Sequence, residues 1–314
     1  MKLDPGFKGR DFISIHDFTQ EEVNEVFRVT SWLKEKQRRR EPHQLLLGKS
    51  LGMIFTKSST RTRVSFEVGI YQLGGYGLFL SANDLQLRRG ETIGDTARTL
   101  SRYLDGIMIR TFDHQDVLDL AEYASIPVIN GLTDLLHPCQ VMGDMFTALE
   151  KKGRLKGLKL AYIGDGNNVS HSLLFGGAKV GMDVTIACPA GYEPNARIVE
   201  LARKDAEASG AVLQVVNDPR QAVSGADILY TDVWASMGME AEQEKRRREF
   251  AGFCIDSRLL AEAKPDAIVM HCLPAHRGEE ITDEVIDGPQ SVVFDEAENR
   301  LHVQKAIMAL VMAG

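Results

Sequence analysis

Hydroxyl and guanidinium side chains alternate over residues 59–63, which read Ser59-Thr60-Arg61-Thr62-Arg63. The stretch follows an apolar run at 51–55 and precedes an apolar pattern of helical period over 64–71, which predicts a turn between a strand and a helix. The first turn of a helix has N–H groups without partners and partial positive charge, and two arginines can bind phosphate oxygens bidentately. The stretch therefore predicts a phosphate site. The alternative is a simple helix cap with both arginines in solvent.

Two further basic side chains are predicted at the ends of elements. Arg110 closes the short apolar run 106–110, and His137 precedes Pro138 at the start of a helical pattern. In a chain with a net charge of −7, these side chains and the arginines of residues 59–63 would attract and hold a small dianion. Each also has a structural alternative, since Arg110 could form an ion pair and His137 could simply cap its helix.

The composition is that of a globular protein, with 44% hydrophobic and 26% charged residues among 314, a length that favours two domains. The negative net charge argues against nucleic acid as a partner. The four cysteines are scattered without a CxxC pair, which is typical of reduced thiols. No apolar run reaches 18 residues and no signal peptide is evident, so we expect a cytoplasmic protein with no membrane partner.

Strands alternate with helices along the chain, which predicts an α/β fold of two domains, each a parallel sheet flanked by helices. A basic, glycine-punctuated segment at 151–157 separates the two series. We therefore expect a first domain of residues 1–150, a second of residues 151–295, and a C-terminal helix of residues 296–314 that must pack on another element. Residues 291–294 are expected to form a last short strand.

Polar side chains follow three predicted strands of the second series, at the edge where an open parallel sheet binds its ligands. They are Asp165 with Asn167 and Asn168, then Asp232, then His271 with Cys272. Asparagines at a helix start could bind the carboxylate or amine of an amino acid. A cysteine at a strand end near Asp232 could contact a substrate amine.

Two other kinds of site fit the second series less well. The Gly-Asp-Gly of residues 164–166 begins like a dinucleotide fingerprint, but Val169 stands at its sixth position, so a nicotinamide-dependent oxidoreductase is a weak alternative. His271, Cys272 and His276 suggest zinc, but a second pair of ligands is missing from the pattern. No metal site is therefore expected.

Five motifs together resemble those of the ornithine carbamoyltransferase family, and the match covers nearly the whole chain. They are Ser59-Thr60-Arg61-Thr62-Arg63, His137-Pro138-Cys139-Gln140, Asp232 with Ser236-Met237-Gly238, His271-Cys272-Leu273-Pro274 and Ala297-Glu298-Asn299-Arg300. The first two are typical of carbamoyltransferases in general, including those that use aspartate, and the third and fourth favour ornithine. The sequence departs from the family pattern at Arg88, where a glycine is expected.

The resemblance implies the transfer of a carbamoyl group from carbamoyl phosphate to the side-chain amine of L-ornithine, giving L-citrulline and phosphate. The residues implied to bind carbamoyl phosphate are Ser59, Thr60, Arg61, Thr62, Arg63, Gln86, Arg110, His137, Gln140, Cys272, Leu273 and Arg300. Those implied to bind ornithine are Asn168, Asp232, Ser236 and Met237, and the implied catalytic residues are Arg61, Arg110, His137 and Cys272. Because Gln86 would come from a neighbouring subunit, a homotrimer or a multiple of trimers is implied. The C-terminal helix would return to the first domain.

The implied reaction needs no metal or organic cofactor, because the phosphate already makes the carbonyl carbon electrophilic. The amine attacks that carbon and negative charge builds on the carbonyl oxygen, where preorganised donors stabilise the transition state. The amine must arrive unprotonated, and we expect Asp232 and Cys272 to orient it while a phosphate oxygen takes the proton. The open alternatives are another acceptor, such as putrescine or aspartate, and a regulatory protein that binds without turnover.

Overall fold

The computed structural model describes residues 1–82, 84–87, 90–235 and 240–313. The chain forms two compact units. The first contains Met1–Gly143 and the chain from Asn299 onward, and the second contains Asp144–Glu298. The predicted domain limits at 150 and 295 stay a prediction.

The first unit is built on a four-stranded parallel sheet. Its strands are β1 (Ser50–Phe55), β2 (Tyr76–Ser81), β3 (Gly106–Arg110) and β4 (Val128–Leu132), in the order β2-β1-β3-β4. Its helices are α1 (Gln20–Arg38), α2 (Thr60–Gln72), α3 (Ile93–Leu100), α4 (His114–Tyr123) and the start of α5 (Pro138–Lys152). In the register of β1 and β3, Phe55 pairs with Arg110, so the end of β3 lies beside the turn that leads into α2.

The second unit contains a five-stranded parallel sheet. Its strands are β5 (Lys159–Ile163), β6 (Asp183–Ala187), β7 (Leu213–Val216), β8 (Ile228–Thr231) and β9 (Ile268–His271), in the order β7-β6-β5-β8-β9. Its helices are α6 (Asn168–Val180), α7 (Ala196–Ser209), α8 (Pro219–Val223), α9 (Gln243–Glu249), α10 (Ser257–Leu260) and α11 (Asp283–Ile286). Ile163 pairs with Thr231 and Thr231 with His271, so the polar residues after β5, β8 and β9 share one sheet edge.

The last helix, α12 (Val293–Met312), crosses from the second unit into the first and packs there against α1 and α2. Lys305 of α12 donates to Gln37 of α1 and to Gln72 of α2. A Cβ at Gly69 of α2 would lie 3.0 Å from Met308 and 3.2 Å from Lys305, so this glycine permits the close approach of the two helices. The predicted α/β fold and the return of the C-terminal helix to the first unit are confirmed.

The predicted strand at 291–294 is wrong. Only Ser291 pairs with the sheet, through a bridge to Val269, and α12 already begins at Val293. The backbone N–H of Glu296 donates to the carbonyl oxygen of Val292, which is the start of helical bonding. A short apolar run has the same appearance in a strand and in the first turn of a helix, so the sequence pattern could not separate them.

Among the helices of the described residues, none is long and apolar enough to cross a bilayer.

Candidate active site

Ser59 caps α2, because its backbone is extended and its hydroxyl accepts from the N–H of Thr62 at 3.2 Å. This satisfies one of the unpaired N–H groups of the helix start. Within the described chain, the N–H groups of Thr60 and Arg61 donate to no acceptor, so this helix start can still bind an anion. The capping alternative and the phosphate site are therefore compatible.

Thr62 brings two arginines together inside the first unit. Its hydroxyl oxygen accepts from Nη1 of Arg110 at 3.3 Å and from Nη2 of Arg300 at 2.9 Å. Thr62 is fully buried, and both arginines are nearly so, with 6% and 3% of their surface exposed. Arg110 reaches Thr62 from the end of β3 and Arg300 from α12, so this charge cluster depends on three separate elements.

His137 lies within the same cluster, at the start of α5. Its pKa is held well below the usual value, first by burial and then by the positive charges of Arg300, Arg110, Lys57 and Arg61. The imidazole is therefore neutral at physiological pH and acts as a hydrogen-bonding group. Gln140, one turn further along α5, is also buried.

Lys57 also belongs to this cluster, although the sequence motifs did not single it out. It is 6% exposed, lies over the ring of Phe112 at 4.8 Å, and pairs with Asp134 at 3.4 Å. Its position two residues before Ser59, in the turn after β1, was the available signal.

Two of the predicted phosphate-binding residues lie apart from the buried cluster. The Arg63 guanidinium lies 3.7 Å from the ring centroid of Phe79 and pairs with Glu67 at 3.1 Å. Gln86 is exposed in the loop between β2 and α3. Neither contacts Arg61, Arg110 or His137 in the structure, so their roles stay predictions.

A second cluster lies in the second unit, around the carboxylate of Asp232 at the end of β8. This carboxylate accepts from Nδ2 of Asn167 at 2.8 Å, from the thiol of Cys272 at 3.0 Å and from the N–H of Val233 at 2.8 Å. Asp232 is 6% exposed. Burial, followed by the charge and hydrogen bond of Asp232, raises the pKa of Cys272 well above its usual value. Cys272 is therefore a neutral thiol that donates, and it is not poised as a thiolate nucleophile.

Asn168 is the first residue of α6 and is buried. The residue before it, Asn167, caps α6 by accepting from the N–H groups of Val169 and Ser170. Its amide nitrogen donates to Asp232, so Asn167 connects this helix start to the carboxylate. Both asparagines were candidates from the sequence, and the family resemblance implied a binding role for Asn168 alone, although an asparagine just before a helical pattern is also a recognisable cap.

The remaining predicted ornithine-binding residues, Ser236 and Met237, lie outside the described residues. Just before them, the carbonyl of Trp234 accepts from Nη1 of Arg246 at 2.7 Å. The same nitrogen donates to Asp165 at 2.8 Å. Burial, partly offset by Arg246, raises the pKa of Asp165 to about 6. The sequence alone did not indicate this buried ion pair, because its members are 81 positions apart.

Leu273 follows Cys272 with a left-handed backbone, at φ 55°, and a cis peptide bond joins it to Pro274. A left-handed leucine is sterically costly, by roughly 1 to 2 kcal/mol. The N–H of Leu273 donates to Nδ1 of His271 at 2.8 Å, which helps to hold this backbone. Nε2 of His271 then donates to Glu280 at 3.0 Å. His271 thus uses both ring nitrogens to support the turn that carries Cys272.

The described chain contains two groups of three residues whose side chains are of types that bind metals. In each group, one potential ligand atom per residue lies within 4.8 Å of the other two. The groups are Asp232 with His271 and Cys272, and His276 with Glu279 and Glu280. In the first group, the hydrogen bonds described above already occupy both nitrogens of His271 and hold the thiol against Asp232. That set fits the binding of a substrate amine better than a metal ion.

Comparison with known proteins places the chain in a class. Residues 10–150 match the family model of the aspartate/ornithine carbamoyltransferase carbamoyl-P binding domain, and residues 156–311 match the Asp/Orn binding domain of the same enzymes. The chain belongs to the aspartate/ornithine carbamoyltransferase family.

Several relatives of the chain are named ornithine carbamoyltransferase, one of the two enzymes in the family's name. The chain is 61% identical to the ornithine carbamoyltransferase of Thermococcus kodakarensis, over 98% of this chain and 97% of the relative. It is 63% identical to the ornithine carbamoyltransferase of Symbiobacterium thermophilum, over 98% of this chain and 99% of the relative. The solved structure of ornithine carbamoyltransferase from Pyrococcus furiosus superposes with a TM-score of 0.96 at 57% identity, covering 98% of each chain.

Proposed function

We propose that this chain transfers the carbamoyl group of carbamoyl phosphate to the side-chain amine of L-ornithine, giving L-citrulline and phosphate. The observation that carries the proposal is that Arg110 and Arg300 both donate to Thr62. This cluster also includes the neutral His137 and the start of α2, whose first N–H groups can bind an anion. The relatives at about 60% identity over nearly the full length carry the matching name. The reaction serves arginine biosynthesis, or arginine breakdown when it runs in reverse.

The first cluster suits the donor substrate. The N–H groups at the start of α2 and the side chain of Arg61 would hold the phosphate, as helix N-termini hold anions. Arg110 and His137 would donate to the carbamoyl oxygen, and Gln140 would hold the carbamoyl amide. A neutral imidazole is useful here because it can donate one hydrogen bond without attracting the phosphate as a further cation. Fixed donors of this kind stabilise the charge that develops on the oxygen.

The second cluster suits the acceptor substrate. The Asp232 carboxylate would bind an ammonium or amine group of ornithine, because it is buried and already fixed by Asn167 and Cys272. Charge-assisted hydrogen bonds of this kind are about twice as strong as neutral ones. Asn168, Ser236 and Met237 would complete this site, and Cys272 with Leu273 would line its reactive end. The chemistry requires no metal or organic cofactor, since phosphate is already a good leaving group.

A citrulline assay tests the proposal. Purified protein supplied with carbamoyl phosphate and ornithine should form citrulline, which is detected by a colour reaction. With putrescine or aspartate in place of ornithine, it should form much less carbamoylated product. A preference for putrescine or aspartate would keep the reaction class and replace the acceptor. No carbamoylated product with any amine would leave a binding protein without turnover.

The pH dependence follows from the groups of the site. His137 has a pKa well below the usual range and Cys272 one well above it, so neither changes charge between pH 7 and 9. The attacking amine has a pKa near 10, so its reactive neutral fraction rises about tenfold per pH unit over this interval. We therefore expect kcat/KM for ornithine to rise with a slope close to one on logarithmic axes. A plateau beginning near pH 7 would contradict this assignment of protonation states.

We also propose a homotrimer, or a multiple of trimers, in the cytoplasm. Val64, Val68 and Tyr71 form a stripe on α2 that is exposed, and Tyr76 and Phe79 are exposed on the adjacent edge strand β2. We call these five residues the α2/β2 patch. An apolar patch at an open sheet edge is typical of a protein–protein interface. A neighbouring subunit on this patch would also bring Gln86, in the loop after β2, to a second copy of the site.

Tyr71→Asp should therefore lower the mass in solution from a trimer to a monomer, because it places a charge in the apolar patch. Analytical ultracentrifugation measures this directly. Tyr103→Asp is the matched control, since Tyr103 is similarly exposed at 73% but lies outside the patch. If Tyr71→Asp loses both the trimer and citrulline formation, the role of Gln86 is supported. An unchanged mass for Tyr71→Asp would instead show that the patch is not the interface.

A further inference from the structure

A cavity of about 660 Å³ lies in the first unit at the C-terminal ends of α1 and α2. Its wall includes Gln37, Arg40, Glu41, His43 and Gln72, and also Tyr71 of the α2/β2 patch, so the cavity borders the subunit interface proposed above. The phosphate-binding start of α2 is at the other end of that helix, which spans 13 residues or roughly 20 Å. The cavity is therefore separate from the cluster of Arg61, Arg110 and His137.

A buried lysine stands behind this wall. Lys305 of α12 is fully buried, and its ammonium donates to Oε1 of Gln37 at 2.6 Å and to Oε1 of Gln72 at 2.8 Å. It also lies 3.3 Å from Nε2 of His43. Nδ1 of His43 lies 2.9 Å from the carbonyl oxygen of Glu41, so Nδ1 carries the proton and Nε2 accepts from the lysine.

All three partners of Lys305 are therefore uncharged, and in the described part of the chain no carboxylate lies within ion-pair distance of it. Buried lysines are usually paired with an acid, because burial of an isolated charge is unfavourable. Burial lowers the pKa of Lys305 to about 8, so the ammonium still predominates at pH 7. The cavity thus lies beside a positive charge that has no counter-ion among the described residues.

The two glutamines also supply donors to the cavity. Each directs Oε1 to Lys305, and among the described residues the Nε2 of neither one donates to a protein acceptor. Because both side chains line the cavity, these amide N–H groups are available to a bound molecule. The exposed Arg40 adds a guanidinium to the same wall.

The balance of charge around the cavity is positive. Lys305 and Arg40 contribute two positive charges, and Glu41 is neutralised by an ion pair with Lys36. The C-terminal ends of α1 and α2 oppose them with at most about half a negative charge each. An anion would therefore be attracted, and the donors just described would satisfy its oxygens.

We propose that this cavity is a second anion site, which binds a small molecule bearing a phosphate or carboxylate group. Lys305 supplies the buried charge, and the amide nitrogens of Gln37 and Gln72 donate to the ligand oxygens. The guanidinium of Arg40 forms an ion pair with the bound anion. The proposal goes beyond the transfer reaction and does not depend on it.

Equilibrium dialysis of the full-length protein against radiolabelled inorganic phosphate tests this site. The wild-type chain should bind two phosphates, one at the start of α2 and one in the cavity. Arg61→Ala should bind one, and Arg61→Ala with Arg40→Gln should bind at least tenfold more weakly at that remaining site. Arg39→Gln in the Arg61→Ala background is the matched control, because Arg39 is an adjacent surface arginine that is not part of the cavity wall; it should retain the remaining phosphate.

The outcomes separate the two sites. If Arg61→Ala abolishes all phosphate binding, the cavity site is wrong and the donor site stands. If Arg40→Gln removes one phosphate from the wild-type chain while Arg61→Ala removes none, the cavity is supported and the donor assignment is contradicted. Displacement of the cavity phosphate by citrate would identify carboxylates as ligands, and failure of citrate to compete would restrict the site to phosphate groups. Lys305→Met, with folding checked by circular dichroism, should lose the same phosphate as Arg40→Gln, and unchanged binding by folded Lys305→Met would overturn the role of the buried charge.

Discussion

Replacing Arg110 with lysine is expected to lower the turnover number by about 10²- to 10³-fold, the usual cost of losing one oxyanion donor. Lysine retains the positive charge but cannot reproduce the planar fork of donors, and it is too compact to keep the contact with Thr62 while reaching a second oxygen. The effect should fall mainly on kcat, because the donor acts on charge that develops in the transition state. Steady-state citrulline formation at saturating substrates measures it.

Arg28→Lys is the control for this experiment. Arg28 lies on the surface of α1, where it pairs with Glu25, and the same substitution there should leave turnover unchanged. Circular dichroism should show that both variants are folded. Turnover of Arg110→Lys within threefold of the wild type would remove Arg110 from the reaction.

Replacing Asp232 with asparagine is expected to raise the KM for ornithine by about 10- to 100-fold, which corresponds to the loss of one charge-assisted hydrogen bond of 1.5 to 3 kcal/mol. Asparagine has nearly the same shape and can still accept from Cys272 or Asn167, but it cannot neutralise an ammonium group. The dissociation constant of carbamoyl phosphate should not change. Steady-state kinetics give the KM for ornithine, and calorimetric titration with carbamoyl phosphate gives its dissociation constant.

Asp218→Asn provides a matched control in the same unit. Asp218 caps α8 through the N–H of Arg220, and asparagine caps a helix about as well as aspartate. This variant should therefore retain both substrate constants. Equal losses of ornithine and carbamoyl phosphate binding in Asp232→Asn would show that the acceptor site has been placed wrongly.

Strand ends were predictable because their sequence signals are local. An apolar run that ends in a polar residue marks the carboxyl end of a strand, and in a parallel sheet these ends meet at one edge. The runs at 106–110 and 268–271 match β3 and β9 without a shift of either end. For that reason Arg110 and Cys272 could be named as site residues before their surroundings were known.

The direction of a side chain on a helix was less predictable. The spacing of Val64, Val68 and Tyr71 correctly indicated the helix α2, yet these residues are exposed, and Phe66 and Ile70 on the opposite side are buried. An apolar stripe is the same in sequence whether it faces its own core or another subunit. In the same way, nothing local to Arg63 could show that its guanidinium lies on Phe79 and not beside Arg61.

The sequence alone determined the order of strands and helices, the parallel α/β class and the residue types that hold a phosphate, since all of these depend on neighbouring positions in the chain. Only the tertiary structure decided that Arg110 and Arg300, 190 positions apart in the numbering, share the hydroxyl of Thr62, and that burial among cations keeps His137 neutral. It also decided that Lys305 is buried with no acidic partner among the residues that the structure describes. Charge environments of this kind arise from side chains that are distant in sequence, and no local pattern encodes them.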